Sequence, residues 1–343
     1  MNLKLICQLS MVGLLFSTSL AFAADEPKPE TPEFDPAAMQ AAMKEFHSKP
    51  DNVGTGPFPA LKEMDSSLPD HVVYRPQNLA ALGEQKLGVL AWGNGGCSPD
   101  GAGGRFHLTE IASHGYLAIA NGKILSGPGA PPSSDQPNEQ ARNVARQQRD
   151  PNAPRNFPPP ATRSSQLIEA IDWALSENAR EGSPYYGRID PSQIAVGGWS
   201  CGGLQALEVA KDTRVATVMV HNSGIFKPGM MNSESGMDIG KDTLKTLHTP
   251  VIYLIGGPTD IAYANAVDDY ERINTVPVMM ANLDVGHGGT FIQENGGRVA
   301  PVAVSWLNWQ LRGDQNAAKL FVGPNCGLCV DADWDVKSKR LGQ

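Results

Sequence analysis

Beyond residue 23 the chain has no apolar run of the roughly 20 residues that a membrane-spanning helix needs. It is also short of basic residues: 28 Lys and Arg stand against 36 Asp and Glu, a formal net charge of −8. That balance argues against nucleic acid or an anionic membrane surface as partner, because both are bound through clustered positive charge. Internal repeats and a separate carbohydrate-binding module are absent. Asp331-Ala-Asp-Trp-Asp335 alternates carboxylates but lacks the glycine and distal glutamate of an EF-hand loop, so it reads as an acidic tail. Cysteine is sparse, with five in 343 residues. Cys326-Gly-Leu-Cys329 has neither a thioredoxin-like context nor a second Cys/His pair, which leaves a local disulfide as its reading. No metal site or cofactor is called for.

Residues 1–23 read as an export signal: Lys4, an apolar stretch through Leu20, then Ala21-Phe-Ala23 as the cleavage site. The mature chain is expected in the periplasm or outside the cell, where disulfides form. Loss of Lys4 takes the net charge from −8 to −9, and loss of Cys7 leaves four cysteines. Residues 24–69 are expected to form an N-terminal extension, partly mobile, with a short helix over 36–46. One elaborated domain follows over 70–343. Within it, 124–161 is dominated by Gly, Pro, Ser, Asn and Gln and is too long for a routine connection, so it reads as a cleft-lining insertion.

What is there centres on Gly198-Trp199-Ser200-Cys201-Gly202. Ile194-Ala-Val-Gly197 before it suits a buried parallel strand, and Gly203–Lys211 after it is apolar at helical spacing. A serine between two glycines at a strand-to-helix junction predicts a nucleophile elbow, whose strained turn leaves no room for side chains at Gly198 and Gly202. Serine needs a base to take its proton and a carboxylate to orient that base. In an α/β-hydrolase these follow the serine in the order acid, then histidine. The histidines downstream are His221, His248 and His287. His287, in the Gly-flanked loop Asp284-Val-Gly-His-Gly-Gly-Thr290, is the favoured base. The strand Val251–Ile255 runs into Gly256-Gly-Pro-Thr-Asp260, which makes Asp260 the favoured acid over Asp268, Asp269 and Asp284. Asp268 and Asp269 fall in a predicted helix, Tyr263–Arg272, on what reads as a solvated face. An oxyanion hole is expected from the backbone N–H of Cys201 and that of Asn94, in the Gly-rich turn after Leu87–Trp92, with Gly93 and Gly95 as rivals of Asn94. Trp199, Trp92 and Asn222 are the candidates for substrate binding, although Trp199 reads as readily as a core residue.

Arg188–Gly203 resembles the elbow region of cutinase-like polyester hydrolases and dienelactone-hydrolase-type esterases. Ala112–Ala120, Ala170–Ala174, Gly256–Asp260, Gly286-His-Gly288 and Ser305–Trp309 fall in matching order, so the resemblance covers roughly residues 70 to 330. It implies the α/β-hydrolase fold, a mostly parallel central sheet flanked by helices on both faces, and hydrolysis of carboxylic esters. Two departures, Trp92-Gly-Asn in the oxyanion loop and cysteine after the serine, sit at the substrate, so substrate class does not carry over. The fold brings those two loops together, which predicts pairing of Cys97 with Cys201 among the three possible connectivities. The reading is an exported serine esterase acting on a small-molecule or polymeric ester. An amidase or peptidase with the same triad and an inactive binding protein on the same fold are its alternatives.

Overall fold

The computed structural model describes residues 41, 44–132, 160–227, 237 and 239–342. The chain divides into Met1–Asp35 and Pro36–Gln343, and every described residue belongs to the second unit. The export signal, the start of the predicted 36–46 helix and positions 133–159 of the insertion lie outside the described residues.

Among the described residues nine strands form one sheet: β1 (Ala60–Glu63), β2 (His71–Pro76), β3 (Leu87–Gly93), β4 (Tyr116–Asn121), β5 (Ile189–Trp199), β6 (Thr217–His221), β7 (Val251–Ile255), β8 (Val278–Leu283) and β9 (Trp334–Lys339). Their spatial order is β1-β2-β4-β3-β5-β6-β7-β8-β9. From β4 across to β8 all neighbours run parallel, while β1, β2 and β9 are antiparallel to theirs. Every residue of β3, β4, β6, β7 and β8 is buried, which is why these segments read as unbroken apolar runs.

Both faces are covered. Side chains alternate across the strands, so Val89, Ala91, Val196 and Val218 join one core with helices α2 (Ser165–Ala179), α3 (Cys201–Val209) and α4 (Tyr263–Arg272). Leu90, Trp92, Ala195 and Met219 join the other with α1 (Arg105–Ser113) and α5 (Val299–Arg312). This is the α/β-hydrolase architecture that the sequence predicts. The connection from β3 leads outward to β4, and the chain then returns to place β5 on the other side of β3. In open α/β sheets a crevice opens at the carboxyl ends of two strands whose connections diverge in this way, here β3 and β5.

At the level of the fold, the sequence reading needs three corrections. β1 lies in the segment assigned to the extension, so the sheet begins before residue 70. β9 takes up part of the presumed acidic tail, and Arg298 pairs with Asp331 and Asp333 just before it. Asp269 is fully buried rather than solvated, held by Lys241 at 2.6 Å and by the Ile225 N–H at 2.7 Å. Ahead of β1, Phe46 is buried beneath the Arg105 guanidinium, which lies 3.8 Å from its ring.

Candidate active site

Ser200 occupies the turn between β5 and α3 with φ +54° and ψ −118°, a conformation that costs a non-glycine residue on the order of 1–3 kcal/mol. The turn survives because the chain crowds around it. A side chain on Gly198 would collide with the Gly202 carbonyl, and one on Gly202 with Gly93 at the end of β3. A Cβ on Gly202 would also stand 2.6 Å from Asn94 N, which places that backbone amide against the first turn of α3. The positive end of the α3 dipole faces the same spot.

The two loops beyond β7 and β8 bring the remaining candidates to this turn. Ser200 Oγ donates to His287 Nε2 at 2.9 Å, and His287 Nδ1 donates to Asp260 Oδ1 at 2.6 Å. Asp260 is buried, which by itself would raise its carboxyl; the hydrogen bonds from His287, Ala262 N and Gly256 N hold it below the usual carboxylate range. It is therefore ionised at neutral pH, as a group that orients an imidazole must be. His248 is exposed, and Asp284 meets Thr259 rather than an imidazole. His221 is fully buried, and burial pushes its imidazole down to about 3.

The expected oxyanion loop closes on the elbow through a Cys97–Cys201 disulfide with a Cα separation of 5.2 Å. Cys97 has φ +47°, and Thr162 N donates to its carbonyl at 3.1 Å. The Asn94 side chain points away from Ser200, donating to Ser98 O and Asn121 O at 3.0 and 2.6 Å. Its backbone alone remains at the junction. Of the five non-glycine residues with positive φ among the described residues, three (Cys97, Ser200 and Asn222) gather here.

The three substrate-binding candidates separate. Trp199 is half-buried; its indole donates to His287 O at 2.9 Å and packs on Phe291 with ring centres 5.1 Å apart. Trp92 is 1% exposed and packs on His107 and His221 beneath the site, so it belongs to the core and not to a cleft wall. Asn222 is 2% exposed and bonds to Asp260, which rules out substrate contact in this arrangement. Sequence reasoning missed Ser223, whose Oγ donates to Ser200 O at 2.7 Å, and two exposed apolar neighbours of the relay, Ile261 and Val285. The clue lay in the sequence, since both adjoin the candidate acid and base loops.

A cavity of about 530 Å³ opens elsewhere, beyond the end of β4, among Asp70, Lys123, Arg163, Gln166 and Glu169; Leu125 and Ala161, at the two ends of the insertion, also line it. None of the three relay residues does. Among the described residues no three His, Cys, Asp or Glu side chains converge as a metal site requires. A family model described as PET hydrolase-like matches residues 152–333. Comparison with curated proteins gives no match.

Proposed function

The chain belongs to the PET hydrolase-like family of α/β-hydrolases, and from that premise we propose that it is an exported serine hydrolase that cleaves carboxylic esters through an acyl-enzyme. The observation that carries this reading is the unbroken relay from Ser200 through His287 to a buried, ionised Asp260. Ser200 Oγ attacks the ester carbonyl carbon as His287 Nε2 takes its proton, and Asp260 holds the imidazolium by Nδ1–H. The oxyanion is received by the backbone N–H groups of Cys201 and Asn94. Collapse of the tetrahedral intermediate expels the alcohol, which takes the proton from His287. Water, deprotonated by His287, then releases the acid from Ser200. Ile261, 77% exposed beside Asp260, and Val285, 40% exposed before His287, offer apolar surface suited to an acyl chain or a polymeric ester. Export is supported by residues 1–23 and by two disulfides; among the described residues no helix is long and apolar enough to cross a membrane.

The test is hydrolysis of p-nitrophenyl esters of increasing acyl length by wild type and Ser200→Ala. The expected result is a Ser200-dependent rate that falls at least about 10⁴-fold in the variant while its circular dichroism is unchanged. Retained turnover in Ser200→Ala would refute the mechanism.

A further inference from the structure

Asn222 stands just after β6, outside any recognisable motif, yet it touches both loops that carry the acid and the base. Its Nδ2 donates to Asp260 Oδ2 at 2.9 Å and to the carbonyl of Gly286, next to His287, at 3.0 Å. Both neighbours only accept, so the amide must present its nitrogen to them. Its backbone N–H donates to Leu254 O on β7 at 2.8 Å. The residues on either side hold the nucleophile's own peptide groups: His221 O accepts from Ser200 N at 2.9 Å, and Ser223 Oγ donates to Ser200 O at 2.7 Å. Three consecutive residues thus fasten the elbow to the acid and histidine loops.

The surroundings are shaped to this amide. A Cβ on Gly256 would lie 2.8 Å from Asn222 Nδ2, and one on Gly289 would lie 3.0 Å from Asn222 Oδ1. Asn222 itself is held at φ +45°, in the left-handed region that asparagine tolerates better than most residues. Strain of this kind persists only where neighbours over-determine it, and it gathers at functional sites.

We infer that Asn222 is a positioning residue of the relay, fixing the Asp260 carboxylate and the spacing of the acid loop from the histidine loop so that Oδ1 meets His287 Nδ1. The inference rests on the Ser-His-Asp reading above. Asp260 keeps one backbone donor on each oxygen without Asn222, from Ala262 N at 2.9 Å and Gly256 N at 3.1 Å. The expected loss is therefore partial.

Two variants separate the side chain from the backbone. Asn222→Gly keeps the left-handed conformation and removes the amide. Asn222→Asp keeps size and backbone tolerance but sets an acceptor against two acceptors. With p-nitrophenyl butyrate, each variant is expected to lose about 10- to 100-fold in kcat with KM within about threefold of wild type. Asn222→Asp should also move the acid limb of the kcat profile to higher pH, because an added carboxylate favours the imidazolium. Wild-type kcat in Asn222→Gly would overturn the inference and leave the asparagine a purely conformational choice. A rise in KM that accounts for the loss would overturn it in favour of substrate contact. If Asn222→Gly fails to fold, the same split read on Asn222→Asp decides. An active Ser200→Ala would instead overturn the hydrolase reading; an inactive Ser200→Ala beside an undamaged Asn222→Gly would overturn this inference alone.

Discussion

Cys97–Cys201 spans 104 residues and joins the loop after β3 to the first turn of α3, whereas Cys326–Cys329 spans 3 and closes a single turn shortly before β9. On the chain-entropy account the first removes about 5 kcal/mol of freedom from the unfolded chain and the second about 2. They differ as much in what they hold. Around the long bridge the backbone is strained at Cys97 and at Ser200, next to Cys201. The short one anchors a four-residue helix beside an edge strand, four places along the sheet from the elbow. A cross-link at the elbow therefore offsets local strain and fixes the two proposed backbone donors relative to each other. The same bond at the sheet edge only shortens a turn.

The comparison is broken most sharply by replacing both members of the long bridge. Cys97→Ala with Cys201→Ala should lower stability by up to about 5 kcal/mol and kcat by about 10- to 100-fold with little change in KM, since both proposed donors are backbone groups that survive but lose their fixed spacing. Thermal unfolding and ester kinetics on the same preparation check this; an unchanged kcat would show that the turn holds itself. Cys326→Ser with Cys329→Ser should cost about 2 kcal/mol and leave kcat and KM as they were. A kinetic effect there would erase the distinction.

The smallest effect sharpens it from beneath the elbow, where His107 and His221 lie buried with ring centres 5.1 Å apart. Burial pushes His107 well below its ordinary value, with His221 adding to the shift, and neither ring nitrogen of His107 has a hydrogen-bond partner among the described residues. Folded His107 stays neutral, whereas the unfolded chain binds its proton below about pH 6.5. The contribution is intact above that pH and drains away as pH falls, by up to about 1.4 kcal/mol per pH unit for each such histidine. His107→Phe should flatten the wild-type fall in stability below pH 6.5 by that slope. Denaturant melts at several pH values would reveal it, and parallel curves for the two proteins would contradict it.

The relay was open to sequence reasoning because each part announces itself locally. Ser200 has glycines on both sides between an apolar strand and a helix, Asp260 ends a Gly-rich loop after a strand, and His287 sits among glycines. The parallel strands were legible for the same reason, being buried on both faces. What failed was orientation. Trp92 adjoins the oxyanion loop in sequence, but alternation along β3 sends it with Leu90 toward α1 and α5. Asn222 adjoins the site, yet its backbone conformation turns its amide inward, and no residue pattern encodes that angle. The edge strands were missed because Ala60-Leu-Lys-Glu63 and Trp334–Lys339 are short and charged, which is how edges avoid unwanted pairing and how tails look as well.

Through the Cys97–Cys201 bond, residues 97–201 make a covalent ring containing α1, β4, α2 and β5. A protease that cut any peptide bond inside the ring would open it without dividing the molecule, and the nicked protein would migrate as one chain until a thiol was added. The ring also frees its own contour from the elbow. A change of chain length within the ring therefore leaves the helix behind Ser200 tethered to the loop after β3.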